Sequence, residues 1–339
     1  MNTILIVGSQ LPASIENFYT LGLERLGLQV RVFEPQRYVA KGLLSRVRQR
    51  LQDPAVYRRA NHQLIAECRA TKPDVVWVFK GIELLPNTIS AIKAIGAVVV
   101  NYNPDHPYIR TSITHGGRNV ADAVSRYDLY FTYHRGLVEQ LKPSSVWLPF
   151  GFHLPEADYE AIREGKEIER ACFVGTVDRQ RAELLIDLAA TGIPIDVYGP
   201  RNRYARKLHG TPRLSLHDTV FDLDFWRILR SYRVQLNFFR EHNYDSHNQR
   251  TFEVPASGGI LLTPDTAEQR EFFEVGSEVH FYGSIDDMRA KLDALLTMPS
   301  ASARDIRLAA RHRSVTADYS YARRAQEAYK SLRAIRGSG

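Results

Sequence analysis

NYDSHNQRTFEVPASGGILLTPDT, Asn243 to Thr266, places polar and charged residues directly before an apolar run. Asp245, His247, Asn248, Arg250 and Glu253 come first, Gly258-Gly259 follows, and Ile260-Leu261-Leu262-Thr263 closes the segment. That run is short and bounded by turn residues, which predicts a buried strand. Thr251–Ala256 predicts the opening of a helix before it, with Glu253 in its first turn.

The same alternation extends outward in both directions. In the first half, Ile4–Val7, Gln29–Phe33, Asp74–Phe79, Ala97–Asn101, Tyr127–Thr132 and Val146–Leu148 read as strands. Ile15–Leu26 carries apolar residues at helical spacing, and Gly27 ends that helix. A second cycle has strands at Arg170–Val174, Ile195–Tyr198, Val234–Phe238, Ile260–Thr263 and Val279–Tyr282, with helices over Gln180–Ala190 and Phe221–Ser231. Short apolar strands separated by helices predict parallel sheets covered on both faces. The fold class is therefore α/β, two facing Rossmann-like doubly wound domains with an interdomain cleft. The expected boundaries are 1–150 and 151–315, with the linker inside Pro149–Glu169 and an arginine-rich helical tail from Ala301 to Ile335.

The bulk composition agrees with two domains. The chain has 339 residues, 44% of them hydrophobic, enough for two packed cores. The net charge of +7 suits phosphate or an anionic surface without demanding either. Cys68 and Cys172 sit beside apolar residues and read as buried thiols of a reducing compartment. MNTILIVGSQ reads as a first strand rather than a signal peptide, and no run of about 18 apolar residues occurs, so a cytoplasmic location is expected. No Cys/His cluster has metal-ligand spacing, and none of the histidines falls in an HExxH pattern, so no metal site is expected.

Open α/β sheets bind ligands at the carboxyl ends of their strands. In the second half, Gly175 ends a strand just before a helix, and its flanking amides with Arg179 or Arg181 could hold a diphosphate. Tyr198 opens a second post-strand segment, YGPRNR. Glu253 could cap its helix or accept two hydrogen bonds from a ribose diol. In the first half, Asp105 and His106 follow a strand and could position or deprotonate an acceptor hydroxyl, unless Asp105 and Asn103 only cap the turn around Pro104 and Pro107. His115 in THGGR is a further candidate, or part of a surface loop. Lys80 needs a carboxylate partner or a place in the cleft.

The ordered set Asn248, Arg250, Phe252, Glu253, Gly258, Gly259 and Asp265, followed by REFFEVGSEVHFYGSIDDMRAKL, resembles the C-terminal domain of the spore-maturation CgeB-like lineage of group 1 glycosyltransferases. Lys80, Gly81, Asp105 and Pro107 resemble its first domain. Val254-Pro255 departs from the family pattern, and Pro255 is tolerated in a first helical turn. The resemblance implies a GT-B fold whose C-terminal helix, 316–339, packs back on the first domain. It implies a nucleotide-diphosphate sugar as donor substrate, with no cofactor and no metal. Glu253 would take the ribose, Arg250 and Asn248 would face phosphate or sugar, and Gly258-Gly259 would let the helix N-terminus approach the diphosphate. Asp245 stands eight residues before Glu253, like the first member of the Glu-x7-Glu motif of retaining GT-B enzymes, with Asp in place of Glu. The acceptor could be a glycan, a lipid-linked glycan, a protein or a small molecule. No nucleic-acid partner is implied, and peripheral membrane association is open to a chain of this charge. A sugar-nucleotide epimerase, a phosphorylase and a non-catalytic binding protein would share the same fold. A dinucleotide oxidoreductase is disfavoured, because GSQLPAS rather than GxGxxG follows the first strand.

Overall fold

The computed structural model describes residues 1–40, 42–51, 53–109, 117–141, 144–240 and 245–337. The chain divides into two compact units, Met1–Pro149 with Tyr321–Gly339, and Phe150–Ser320.

Among the described residues the first unit holds six parallel strands: β1 (Thr3–Val7), β2 (Gln29–Phe33), β3 (Val75–Phe79), β4 (Val98–Asn103), β5 (Leu129–Thr132) and β6 (Ser145–Trp147). Their order is β2-β1-β3-β4-β5-β6. All five residues of β3, VVWVF, are buried, as a central strand covered on both faces requires. The helices are α1 (Ile15–Arg25), α2 (Leu43–Arg50), α3 (Arg58–Thr71), α4 (Pro86–Lys93) and α5 (Arg118–Ala123).

The second unit adds α6 (Glu156–Ile162), α7 (Arg179–Ala190), α8 (Asp222–Ser231), α9 (Gln249–Ala256), α10 (Ala267–Phe272), α11 (Ile285–Thr297) and α12 (Ser300–Thr316). Its parallel strands are β7 (Ile168–Val174), β8 (Ile195–Tyr198), β9 (Leu214–His217), β10 (Tyr232–Leu236), β11 (Leu261–Pro264) and β12 (His280–Tyr282). They run in the order β12-β11-β10-β7-β8-β9. The chain winds outward from β7 to one edge and then from β10 to the other. The reversal lies between β7 and β10, and a doubly wound sheet opens a ligand crevice at the carboxyl ends of such a pair.

The arginine-rich tail consists of two helices. Asp318, in the left-handed region at φ 51°, breaks the chain between α12 and α13 (Tyr321–Gly337). α13 lies in the first unit against α1. Phe18 stacks on Tyr321 with ring centroids 5.1 Å apart. A Cβ on Gly22 would lie 2.6 Å from that of Ala325, so the glycine lets the two helices touch. Cys68 and Cys172 are buried and free, and burial pushes the Cys68 thiol up to about 12.

Candidate functional site

The reversal point of the second sheet is where the charged groups gather. Arg250 leans from the first turn of α9, and its Nε donates to the Val174 carbonyl at the end of β7 (3.2 Å). Its guanidinium lies 4.7 Å from the ring centre of Phe225 on α8 and pairs with Glu253 one turn on. Arg181, from the first turn of α7, donates to the carbonyls of Thr176 (3.0 Å) and of Phe238 just past β10 (2.6 Å). Burial lowers the Arg181 pKa to about 10; Asp178 opposes this, while Arg240 and Arg250 reinforce it. Among the described residues the Arg181 Nε is buried without a hydrogen-bond partner. Three arginines thus raise the positive potential at the carboxyl ends of β7 and β10.

Glu253 is buried beneath this group. Burial raises its carboxyl pKa, and the Arg250 charge only partly offsets that. Arg250 holds one oxygen, Oε2; among the described residues no donor reaches Oε1. The helix start differs from the sequence expectation. α9 begins at Gln249, so Glu253 stands in the second turn and does not cap. The cap is Asn248: its Oδ1 accepts from the Thr251 amide, and Thr251 Oγ1 accepts from the Asn248 amide in return. Asn248 therefore serves the helix and the neighbouring Asn237 rather than pointing freely at a ligand. Pro255 is the seventh helical residue, not a first-turn residue; α9 ends one residue later, so only one helical hydrogen bond is missing.

Gly258-Gly259 is also displaced from its expected place. The pair lies at the C-terminus of α9, wholly within the core, and cannot bring the helix N-terminus near a diphosphate. Gly258 has φ +72°, its amide bonds to the Pro255 carbonyl, and Gly259 bonds to Val254, both at 2.9 Å. This is a Schellman closure, which needs glycine in the left-handed position.

The Gly175 turn is built differently from the expectation of free amides. The Gly175 N–H bonds to the Tyr198 carbonyl at 2.9 Å, and the Arg181 amide is capped by Asp178 at 3.0 Å. A Cβ on Gly199 would sit 2.2 Å from the Gly175 carbonyl oxygen, so the loops after β7 and β8 touch backbone to backbone. Arg179 is exposed on the first turn of α7. Tyr198 stacks on His217 at 4.4 Å, and its hydroxyl meets that of Tyr232, which donates to Asp196 at 2.5 Å. Asp245 is exposed.

His247, part of the same polar stretch, is fully buried. Its Nε2 accepts from the Phe150 amide (3.2 Å), so Nδ1 carries the proton and donates to Glu268 (2.7 Å). Ser246 donates to the same carboxylate oxygen at 2.7 Å. Phe150, Phe252 and Phe272 surround the ring edge-on. His247 and Glu268 hold the loop before α9 against α10.

In the first unit Asp105 pairs with Lys80 at 3.0 Å, and its amide bonds to Asn103 Oδ1 at 3.0 Å. Lys80 has φ 58°, just past β3. His106 Nδ1 accepts from the Tyr108 amide at 3.2 Å. His115 lies outside the described residues. Among the described residues no three His, Cys, Asp or Glu side chains cluster as a metal would need, and no helix is long and apolar enough to cross a membrane. Sequence reasoning did not single out Arg240, Asn237, Phe225 or Glu268. Arg240 stands just past the predicted strand Val234–Phe238, a signal that would have found it, whereas Asn237 lies inside that predicted strand and one residue beyond the end of β10.

Residues 179–330 match the model of a family described as glycosyl transferase-like. The whole chain superposes on GT-B enzymes. Together the match and the fold define the class: a two-domain α/β glycosyltransferase. Sucrose-phosphate synthase from Thermosynechococcus elongatus is similar at TM-score 0.72 and 12% identity, covering 100% of both chains. HepE from Anabaena, solved with UDP and glucose, is similar at TM-score 0.67 and 12% identity, over 98% of this chain and 100% of that one. α,α-Trehalose 6-phosphate synthase from Burkholderia multivorans is similar at TM-score 0.66 and 13% identity, over 99% of each chain. A comparison with curated proteins finds no match.

Proposed function

We propose that this glycosyltransferase takes its sugar from a nucleoside-diphosphate sugar held at the carboxyl ends of β7 and β10, and passes it to an acceptor hydroxyl in glycan or glycoconjugate synthesis. The observation that carries the reading is the crowding of Arg181, Arg240 and Arg250 there, close enough for the other two to depress the Arg181 pKa. Such excess positive charge suits a diphosphate in the ground state and the greater charge that develops as it departs. Glu253, with Oε1 open, suits a ribose hydroxyl. UDP, found in the Anabaena HepE structure, is the first nucleotide to try.

The same arginines let the leaving diphosphate be neutralised without a metal. The Asp245–Glu253 spacing leans toward retention of configuration. The motif order from Asn248 to Leu292 supports kinship with the CgeB-like lineage. In the first unit, Asp105, His106 and His115 are the residues proposed to meet the acceptor.

The test is a thermal-shift series with UDP, GDP, ADP and CDP. A diphosphate at about 100 times its dissociation constant stabilises the fold by about 2.7 kcal/mol. That corresponds to a rise of several degrees for domains of this size, on the order of 2–4 °C per kcal/mol. No rise with any of the four would remove the proposed donor site.

A further inference from the structure

We propose that α2 docks the protein on an anionic bilayer surface. Leu43, Leu44, Val47 and Leu51 are 79%, 69%, 43% and 76% exposed, four large apolar side chains in nine residues. At 100° per residue they fall within about 100° of arc, one continuous stripe. The opposite side of the helix carries Ser45, which is buried, and Gln49, whose Nε2 donates to Ser45 Oγ at 3.2 Å. The helix therefore lies with its polar side on the protein and its apolar side outward, the reverse of an ordinary surface helix.

The charge around the stripe names the occupant. Between Arg37 and Arg59 the sequence holds seven Lys and Arg against one acidic residue, Asp53, a net +6 of the chain's +7. Asp53 faces Arg48 at 3.6 Å, and Arg58 and Arg59 stand exposed at the start of α3. Leu51 also edges an open groove of about 720 Å³ that carries Arg58, His62, Arg118 and Arg126, with Asp122 its one acidic residue among the described residues. Apolar side chains bordered by Arg37, Arg48, Arg58 and Arg59 match a lipid interface: leucines enter the acyl boundary while guanidinium groups meet anionic headgroups. An apolar protein partner would not call for this excess of one sign.

Sedimentation with vesicles tests the assignment. The full chain is mixed with vesicles of phosphatidylcholine alone, and with vesicles of phosphatidylcholine and phosphatidylglycerol in equal parts. It should pellet with the second and not the first, and less so at ~1 M salt, where the screening length falls to about 3 Å. Leu43→Ser with Leu44→Ser should cut partitioning roughly tenfold or more, since both side chains then leave the acyl boundary. Arg58→Glu with Arg59→Glu keeps the apolar stripe and places acidic residues at a helix N-terminus, where they are tolerated. It should abolish binding to the anionic vesicles while leaving the melting temperature unchanged. Equal pelleting with both vesicles, no pelleting with either, or stripe variants that bind like the parent would overturn the proposal. So would concentration-dependent dimerisation lost in the leucine variant, which would give the stripe to a second copy of the chain.

Discussion

The side-chain amides of Asn237 and Asn248 exchange two hydrogen bonds, at 3.0 and 2.8 Å, and so join the end of β10 to the N-cap of α9. Asn237 also donates to Thr263 Oγ1 on β11 at 3.1 Å, and Asn248 Oδ1 accepts the Thr251 amide at 3.3 Å. The buried Asn237 and the half-buried Asn248 thus fix where Arg250 and Glu253 stand relative to the strand ends.

Asn248→Ala should remove both the cap and the amide pair. An N-cap is worth about 1 kcal/mol and a part-buried hydrogen bond about as much, so a loss of roughly 2 kcal/mol is expected. Asn248→Asp keeps an acceptor for Thr251 and Asn237 and loses only the donor, so it should recover about half. Urea unfolding of the two variants measures this. An alanine variant as stable as the parent would show that the joint is held elsewhere.

Gly199→Ala addresses the contact between the first two loops. The new Cβ would fall 2.2 Å from the Gly175 carbonyl oxygen, a backbone atom that no rotamer change can move. The loops must part, at roughly 1–3 kcal/mol for overpacking. Because the Gly175 N–H is bonded to the Tyr198 carbonyl, the turn beside Arg181 shifts with it. Both melting temperature and diphosphate affinity are expected to fall. If affinity holds while stability drops, the Gly175 turn is not part of the donor site.

Much of this was legible from periodicity. β3 and β11 are short apolar runs between turn residues, and buried parallel strands require that pattern. Strand order was not, because it depends on which faces pack, and no local signal carries that. The start of α9 was misplaced by two residues although Asn248 and Thr251 spell a capping box, an N-terminus signal weaker than the Ser/Thr-x-x-Glu form. Gly258-Gly259 looked like a ligand approach because a glycine pair reads the same at either end of a helix. β9, Leu214–His217, escaped notice because none of its residues is fully buried. The burial of His247 has no local signal among its polar neighbours; the three phenylalanines that bury it lie up to 97 residues away in the chain.

Glu167 offers a pH test of the second unit. Its carboxylate meets Arg233 at 2.5 Å and Arg307 at 2.6 Å, and both arginines are almost wholly buried. Arg307 also donates to the Gly258 and Tyr232 carbonyls, tying α12 to the end of α9 and to β10. Burial pushes the Glu167 carboxyl up, but the two arginines outweigh it and hold it below the usual value. The folded state therefore binds this proton less readily than the unfolded state. The stabilisation is complete above the ordinary glutamate pKa of about 4.3 and disappears as pH falls through the lower folded value. Glu167→Gln should cost about 3 kcal/mol at pH 7, as removing one partner of a buried ion pair does. The gap between parent and variant should close in acid. A gap that does not change with pH would mean that the carboxylate charge contributes nothing.

Variants of Arg250 and Glu253 test the proposed ribose recognition and diphosphate stabilisation separately. Glu253→Gln keeps the shape of the side chain but removes the charge, and a ribose hydroxyl then loses a charge-assisted bond worth about 1.5–3 kcal/mol. The nucleotide dissociation constant should rise roughly 10- to 150-fold. Because burial raises the Glu253 carboxyl above the ordinary range, the parent should lose nucleotide affinity as pH falls through that raised value, earlier than an ordinary glutamate would. The glutamine variant should show no such step. Arg250→Lys keeps the positive charge but loses the flat fork that reaches Val174 and Glu253 together and that the proposed diphosphate would need. Turnover should fall more than nucleotide affinity, because the interaction that matters most forms as the diphosphate leaves. Both measurements are made with excess chelator present, where the parent is expected to keep full activity. Activity that vanishes with chelator and returns with magnesium or manganese would assign the leaving group to a metal instead. A silent Arg250→Lys would move the diphosphate toward Arg181 and the Gly175 turn, and an unchanged affinity in Glu253→Gln would take the ribose away from this carboxylate.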